Sequence, residues 1–211
     1  MRNKVGLGRE HPDAKSTRRA EVQLVNVINT KLPGVLVLQP VVHADERGYF
    51  HEVWNDVRHA ALGVHGPFVQ DNSSFSYRSV LRGLHLQWPA GQGKLVTVPQ
   101  GDVFDVAVDV RRGSPTFGQW ASVNLSESNH HQLWIPPGFA HGFAVLSESA
   151  TLLYKITAPY VPADEIAIAW DDPDIGIEWP LSVPSLSPRD AKAPRLSMID
   201  PQRLPQYFDA K

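Results

Sequence analysis

Cysteine is missing from all 211 residues of this chain, and methionine occurs only twice. That absence excludes disulfides, thiolate nucleophiles and every cysteine-bound zinc site, and it fits a reducing cytoplasm. No apolar run approaches the roughly 20 residues that a membrane-spanning helix needs. The first residues lack the apolar stretch of a secretion signal, so a cytoplasmic protein without membrane contact is expected. Helical periodicity is scarce outside a candidate short helix at residues 56–62. Internal repeats and a second domain are lacking as well.

Charge is weak overall and unevenly placed. The formal net charge is −2, yet residues 1–20 carry six Lys and Arg against two acids, a net of +4, which leaves −6 for the remainder. The basic tail could serve as a nucleic-acid arm or a targeting peptide, but it has neither aromatic interleaving nor amphipathic spacing. A disordered extension over residues 1–20 is the expectation. The acidic body argues against polyanion binding, so no nucleic-acid partner is expected.

From residue 21 onward the chain reads as one domain of strands and turns. Turn signals recur at Pro33-Gly34, Arg47-Gly48, Pro89-Ala90-Gly91, Gln100-Gly101, Gly113-Ser114-Pro115 and Pro137-Gly138. The clearest strand covers residues 103–110. Phe104, Val106, Val108 and Val110 fall on one face, and Val103, Asp105, Ala107 and Asp109 on the other. Carboxylates on an inner face suit a barrel wall around a polar site. Residues 35–38, 95–98, 120–125 and 152–156 read as further strands, and the Pro- and Ser-rich sequence after Trp179 reads as a segment wrapping the barrel.

Two stretches each set one imidazole among glycine and apolar residues. Residues 136–143 hold Pro136, Gly138 and His141 at the P-x-G-x-x-H spacing of a cupin barrel's second motif. Residues 80–87 end in His85-Leu86-Gln87, where a metal cupin usually carries H-x-H. With Gln87 in place of a histidine and no glutamate nearby, a three-ligand metal site is incomplete. The pair points to acid–base chemistry, with no metal or cofactor expected.

Ordered blocks between residues 36 and 194 resemble the dTDP-4-dehydrorhamnose 3,5-epimerases. They include residues 45–50, 70–72, 80–87, 93–96, 105–111, 114–118, 135–143, 154–155 and 177–180. The resemblance implies an all-β, cupin-type jelly-roll barrel with short peripheral helices and a C-terminal wrapping segment. It also implies a nucleotide-linked 4-keto-6-deoxy sugar as substrate, inverted at the two carbons that flank the ketone.

Residue roles follow from the same resemblance. His85 is the implied base, with Asp190 orienting its ring; by itself Asp190 reads as a turn or cap residue. Tyr154 is the implied acid, although on its own it reads as a buried strand aromatic. Lys94 stabilises the enolate, and His141 contacts the sugar, with Asp105 a candidate to hold its tautomer. Arg47 and Arg82 match diphosphate-binding arginines. Gln70, Asn72 and Glu52 match positions reading polar edges, Glu165 and Arg189 match further binding positions, and Phe50 and Tyr160 wall the ligand. A single-centre epimerase and a non-catalytic sugar-nucleotide-binding cupin remain open alternatives. A homodimer is expected too, because an exposed edge at residues 35–38 would be hazardous and related enzymes cover such edges.

Overall fold

The computed structural model describes residues 24–208. The tail at residues 1–20, with its expected disorder, lies outside them. In chain order the strands are β1 (Val25–Asn29), β2 (Leu36–Pro40), β3 (His43–Asp45), β4 (Gly48–Phe50), β5 (Gln70–Tyr77), β6 (Leu81–Gln87) and β7 (Lys94–Gln100). They continue as β8 (Asp102–Asp109), β9 (Trp120–Ser126), β10 (Gln132–Ile135), β11 (Phe139–Val145), β12 (Ser149–Ile156) and β13 (Glu165–Ala167). A six-residue helix, α1 (Asp56–Ala61), opens where the Asn55 side chain accepts from the Arg58 amide. Among the described residues no helix is long and apolar enough to cross a membrane.

Two sheets face each other. One runs β1-β2-β10-β7-β12-β5 and the other β13-β6-β11-β8-β9, while β3 and β4 form a separate hairpin. Strand alternation explains the layering. Val103 and Ala107 of β8 pack inward with Val96, Val98, Leu133, Phe139 and Leu152 from both sheets. The other face of β8 sends Val106 and Val108 outward, and the chain after β13 covers them with Ile168, Ile175, Leu196, Ile199 and Leu204. Burying each such side chain contributes on the order of 2 kcal/mol, which holds the C-terminal segment against the barrel. That segment carries Asp190, so its packing also places a site residue.

One expectation needs correction. Residues 35–38 are not an exposed edge, because β2 pairs with β1 on one side and β10 on the other. The β1 sequence, with three polar or exposed positions, hid the strand that covers it. The outer strands of this sheet are β1 and β5.

Gly83 fixes how β6 meets β11. A Cβ there would lie 2.6 Å from Gly142 Cα and 2.7 Å from the His141 carbonyl oxygen, and its φ is +118°. Only glycine allows so close a backbone approach. The approach seats His85 directly opposite His141 in the antiparallel register.

Candidate active site

A cavity of about 590 Å³ opens between the sheets at one end of the barrel. Its two walls carry different chemistry. The wall from β6 and β11 presents His85 and His141. The facing wall presents Tyr154 of β12, directly opposite Asn72 of β5, and Lys94 of β7, opposite Ile156, which in turn faces Gln70. An imidazole and a phenol therefore come from opposite sheets.

Both imidazoles are held by carboxylates. His85 Nε2 donates to Asp190 Oδ1 at 2.7 Å, an assignment that follows from the acceptor-only carboxylate. This leaves Nδ1 as the ring atom free to take a proton. Burial pushes the Asp190 carboxyl up, but the His85 hydrogen bond and charge, helped by Ser187 and the Gly83 backbone, hold the group below the ordinary carboxylate value. The Asp190 amide donates to Ser187 Oγ at 3.1 Å, so the short turn of Ser187-Pro188-Arg189-Asp190 presents the carboxylate. His141 Nε2 donates to Asp105 Oδ1 at 2.8 Å, deep inside the barrel. Asp105 Oδ2 is buried with no hydrogen-bond partner among the described residues.

Lys94 is buried, and its ammonium donates to the His85 carbonyl oxygen at 3.3 Å. Burial lowers its pKa to about 8, against the opposing charges of Glu165 and Asp105. Burial raises the Tyr154 phenol above its usual value, with Arg82 pulling it back and Glu165 adding to the rise. Arg82 lies at the cavity and donates to Ser76 Oγ and the Phe75 carbonyl.

The mouth is polar and charged. Tyr160 Oη donates to Glu165 Oε2 at 2.6 Å, and Arg189 donates to the same oxygen. Gln70 Nε2 donates to Asn72 Oδ1, and Gln70 Oε1 accepts from the Tyr160 amide. Three expected binding residues sit elsewhere. Arg47 pairs with Asp45 on the exposed β3–β4 hairpin, Phe50 of that hairpin is 71 % exposed, and Glu52 pairs with Arg58 of α1. None of the three lines this cavity.

Gln87 has a part the sequence did not announce. Its Nε2 donates to the carbonyls of Ala90 and Pro159, and its Oε1 accepts from the Val161 amide at 2.7 Å. Where a metal cupin has a ligand, this chain has a brace for the loop that carries Tyr160. Ala90 lies in the turn just after Gln87, but Pro159 and Val161 are more than seventy residues away.

What the walls can do follows from their placement. A ligand between them meets an imidazole on one side and a phenol on the other, with an ammonium beside them. Proton removal on one face and return on the other inverts a carbon centre, and the ammonium can meet an oxyanion formed in between. Fold and site together define a cupin-fold barrel equipped for acid–base work.

Comparison with known proteins identifies the family. The family model for dTDP-4-dehydrorhamnose 3,5-epimerase matches residues 29–198. A relative from Salmonella typhimurium named dTDP-4-dehydrorhamnose 3,5-epimerase is 57 % identical over 173 residues, covering 81 % of this chain and 94 % of its own length. The crystal structure of a Legionella pneumophila dTDP-6-deoxy-D-glucose-3,5-epimerase in complex with dTDP-4-keto-L-rhamnose superposes with a TM-score of 0.85 at 50 % identity, covering 87 % of this chain and 99 % of that one. ChmJ, a 3′-monoepimerase from Streptomyces bikiniensis in complex with dTDP-quinovose, superposes at 0.77 with 38 % identity over 82 % of this chain and 90 % of its own. This chain belongs to the dTDP-4-dehydrorhamnose 3,5-epimerase family.

Proposed function

We propose that the chain epimerises dTDP-4-dehydro-6-deoxy-D-glucose at carbons 3 and 5, giving dTDP-4-dehydro-L-rhamnose. The observation that carries this reading is the placement of His85 and Tyr154 on opposite walls of one cavity. The sugar's C4 ketone acidifies the C–H bonds on either side. His85 Nδ1 takes one of those protons, the electron pair moves onto the carbonyl oxygen, and the enolate charge meets the Lys94 ammonium. Tyr154 then returns a proton to the same carbon from the other face, and the carbonyl re-forms. Asp190 keeps the His85 lone pair on Nδ1 and stabilises the ring once it is charged.

His141 commits its Nε2–H to Asp105 and meets the sugar through Nδ1. Arg82 and Arg189, at the cavity, supply cations for the diphosphate, and Tyr160 offers its ring to the nucleobase. Each inversion uses only proton transfers, with His85 giving its proton to water and Tyr154 regaining one from water before the next, so no metal or redox cofactor takes part.

A homodimer belongs to this reading. Arg47, Phe50 and Glu52 match ligand-binding positions, yet the β3–β4 hairpin and the two residues after it hold them outside their own chain's cavity. A second copy placing its hairpin at this mouth would bring them to the ligand. Light scattering giving a monomer mass alone at working concentration would count against it.

Heavy water tests the reaction. A double epimerase places deuterium at both carbons flanking the ketone, read by proton NMR and mass spectrometry of the product. Label at one carbon after complete conversion would instead assign the chain a single-centre activity of the ChmJ kind, and binding without exchange would make it a non-catalytic module.

A further inference from the structure

Glu165 stands between the ligand-binding mouth and the base. It lies on β13 opposite Gln87 of β6, and on the same strand pair Ala167 lies opposite His85. Its side chain is only 12 % exposed. The two carboxylate oxygens face different groups. Oε2 receives both Tyr160 Oη–H and an Arg189 N–H, which together fix the plane of the group. Oε1 is left 3.8 Å from His85 Nδ1, the ring atom that Asp190 does not occupy.

We infer that Glu165 is a positioning residue that keeps the cavity's acid–base groups in their working charge states: an ammonium on Lys94 and an imidazolium on His85 while it carries the substrate's proton. The inference rests on the sugar-nucleotide reading above and goes beyond the ligand contact that the resemblance implied for this residue.

Lys94 and Glu165 line the same cavity, and the Lys94 ammonium reaches the carbonyl of His85, the residue whose ring Glu165 faces. The Glu165 charge is the largest influence opposing the loss of the Lys94 proton to burial, ahead of Asp105. It also adds to the rise of the Tyr154 phenol, against Arg82. The remaining charges around these groups do other work. Asp190 and Asp105 are tied to the Nε2 atoms of His85 and His141, and Arg189 partly balances Glu165 itself. Bonds from Tyr160 and Arg189 hold Glu165 itself below the ordinary carboxylate value despite burial, so it stays anionic near neutrality.

A carboxylate near an enolate would be repulsive if it faced the ligand. Its fixed orientation toward the base, with the Arg189 guanidinium behind it, resolves that conflict.

The test replaces the charge and keeps the shape. Carbon-13 NMR of protein labelled at lysine follows the Lys94 titration, with the signal assigned through Lys94→Arg. In Glu165→Gln the Lys94 midpoint should fall from about 8 by about one pH unit, and Glu165→Asp should restore most of it. Turnover by Glu165→Gln should drop about tenfold, with the alkaline limb of its pH profile moving to lower pH. Affinity for dTDP, measured by calorimetry, should stay within about threefold. An unmoved Lys94 midpoint overturns the inference. So does a large loss of dTDP affinity with an unchanged pH profile, which would make Glu165 a ligand contact alone. If the wild-type protein exchanges no sugar protons, the proposed function fails, and the Lys94 titration still decides for or against Glu165.

Discussion

His85 and His141 face one another across β6 and β11, and each gives its Nε2–H to an aspartate, yet the two pairs are built differently. His141 and Asp105 lie on neighbouring strands of one sheet, and both are buried. His85 is 26 % exposed, and its partner Asp190 comes from the C-terminal segment, 105 residues further along the chain. A pair embedded in the barrel wall suits a fixed contact, because neither member can move without disturbing packed strands. A pair at the open cavity, with Nδ1 left unoccupied by Asp190, suits a group that must gain and lose a proton. The same two residue types thus carry different expectations according to where the fold puts them.

The largest effect should come from removing the exposed imidazole. His85→Ala should lower turnover by about 10²–10⁴ and abolish deuterium uptake at both carbons. Near-normal turnover would end its assignment as base. Neutralising the two aspartates sharpens the comparison. Asp190→Asn should cost about 10²-fold in kcat, because the ring loses both its tautomer and its counter-charge. Asp105→Asn should cost about tenfold and act more on KM than on kcat. Equal kcat losses in steady-state kinetics would show that the two pairs share one role.

A smaller effect is expected from pH. The Lys94 ammonium is present below its pKa of about 8 and lost above it. Activity should therefore fall as pH rises through about 8, and kcat measured from pH 6 to 10 should show this limb. A profile flat to pH 10 would place the enolate charge elsewhere. Chelation should have no effect, since Gln87 stands where a metal cupin carries a ligand and spends its amide on backbone groups; loss of activity to a chelator with recovery on one divalent metal would overturn that reading.

Alternation along β8 made the inward carboxylates of Asp105 and Asp109 legible, and the glycine-flanked motifs exposed both imidazoles. The strand β5 was harder to see. Its sequence, Gln-Asp-Asn-Ser-Ser-Phe-Ser-Tyr, carries little apolar periodicity, because its inward face lines the cavity instead of the core. Gln87 read only as a missing metal ligand, since two of its three backbone partners, Pro159 and Val161, belong to a distant segment. Asp190 looked like any loop residue and was found through family resemblance, not spacing.

The amino-acid order alone determined the strand-rich architecture, the absence of thiol chemistry and the two candidate imidazoles, since each depends on local pattern or on a residue's presence. Tertiary structure decided which charges meet. It set Asp190 on His85, turned Glu165 toward the same ring, and kept Arg47, Phe50 and Glu52 on or just after a hairpin outside the cavity. Those outcomes depend on packing the C-terminal segment over the outer face of β8 and on the close approach at Gly83, both of which join residues far apart in the chain. Alternation along a strand says which way a side chain points, while only the folded barrel says what it points at.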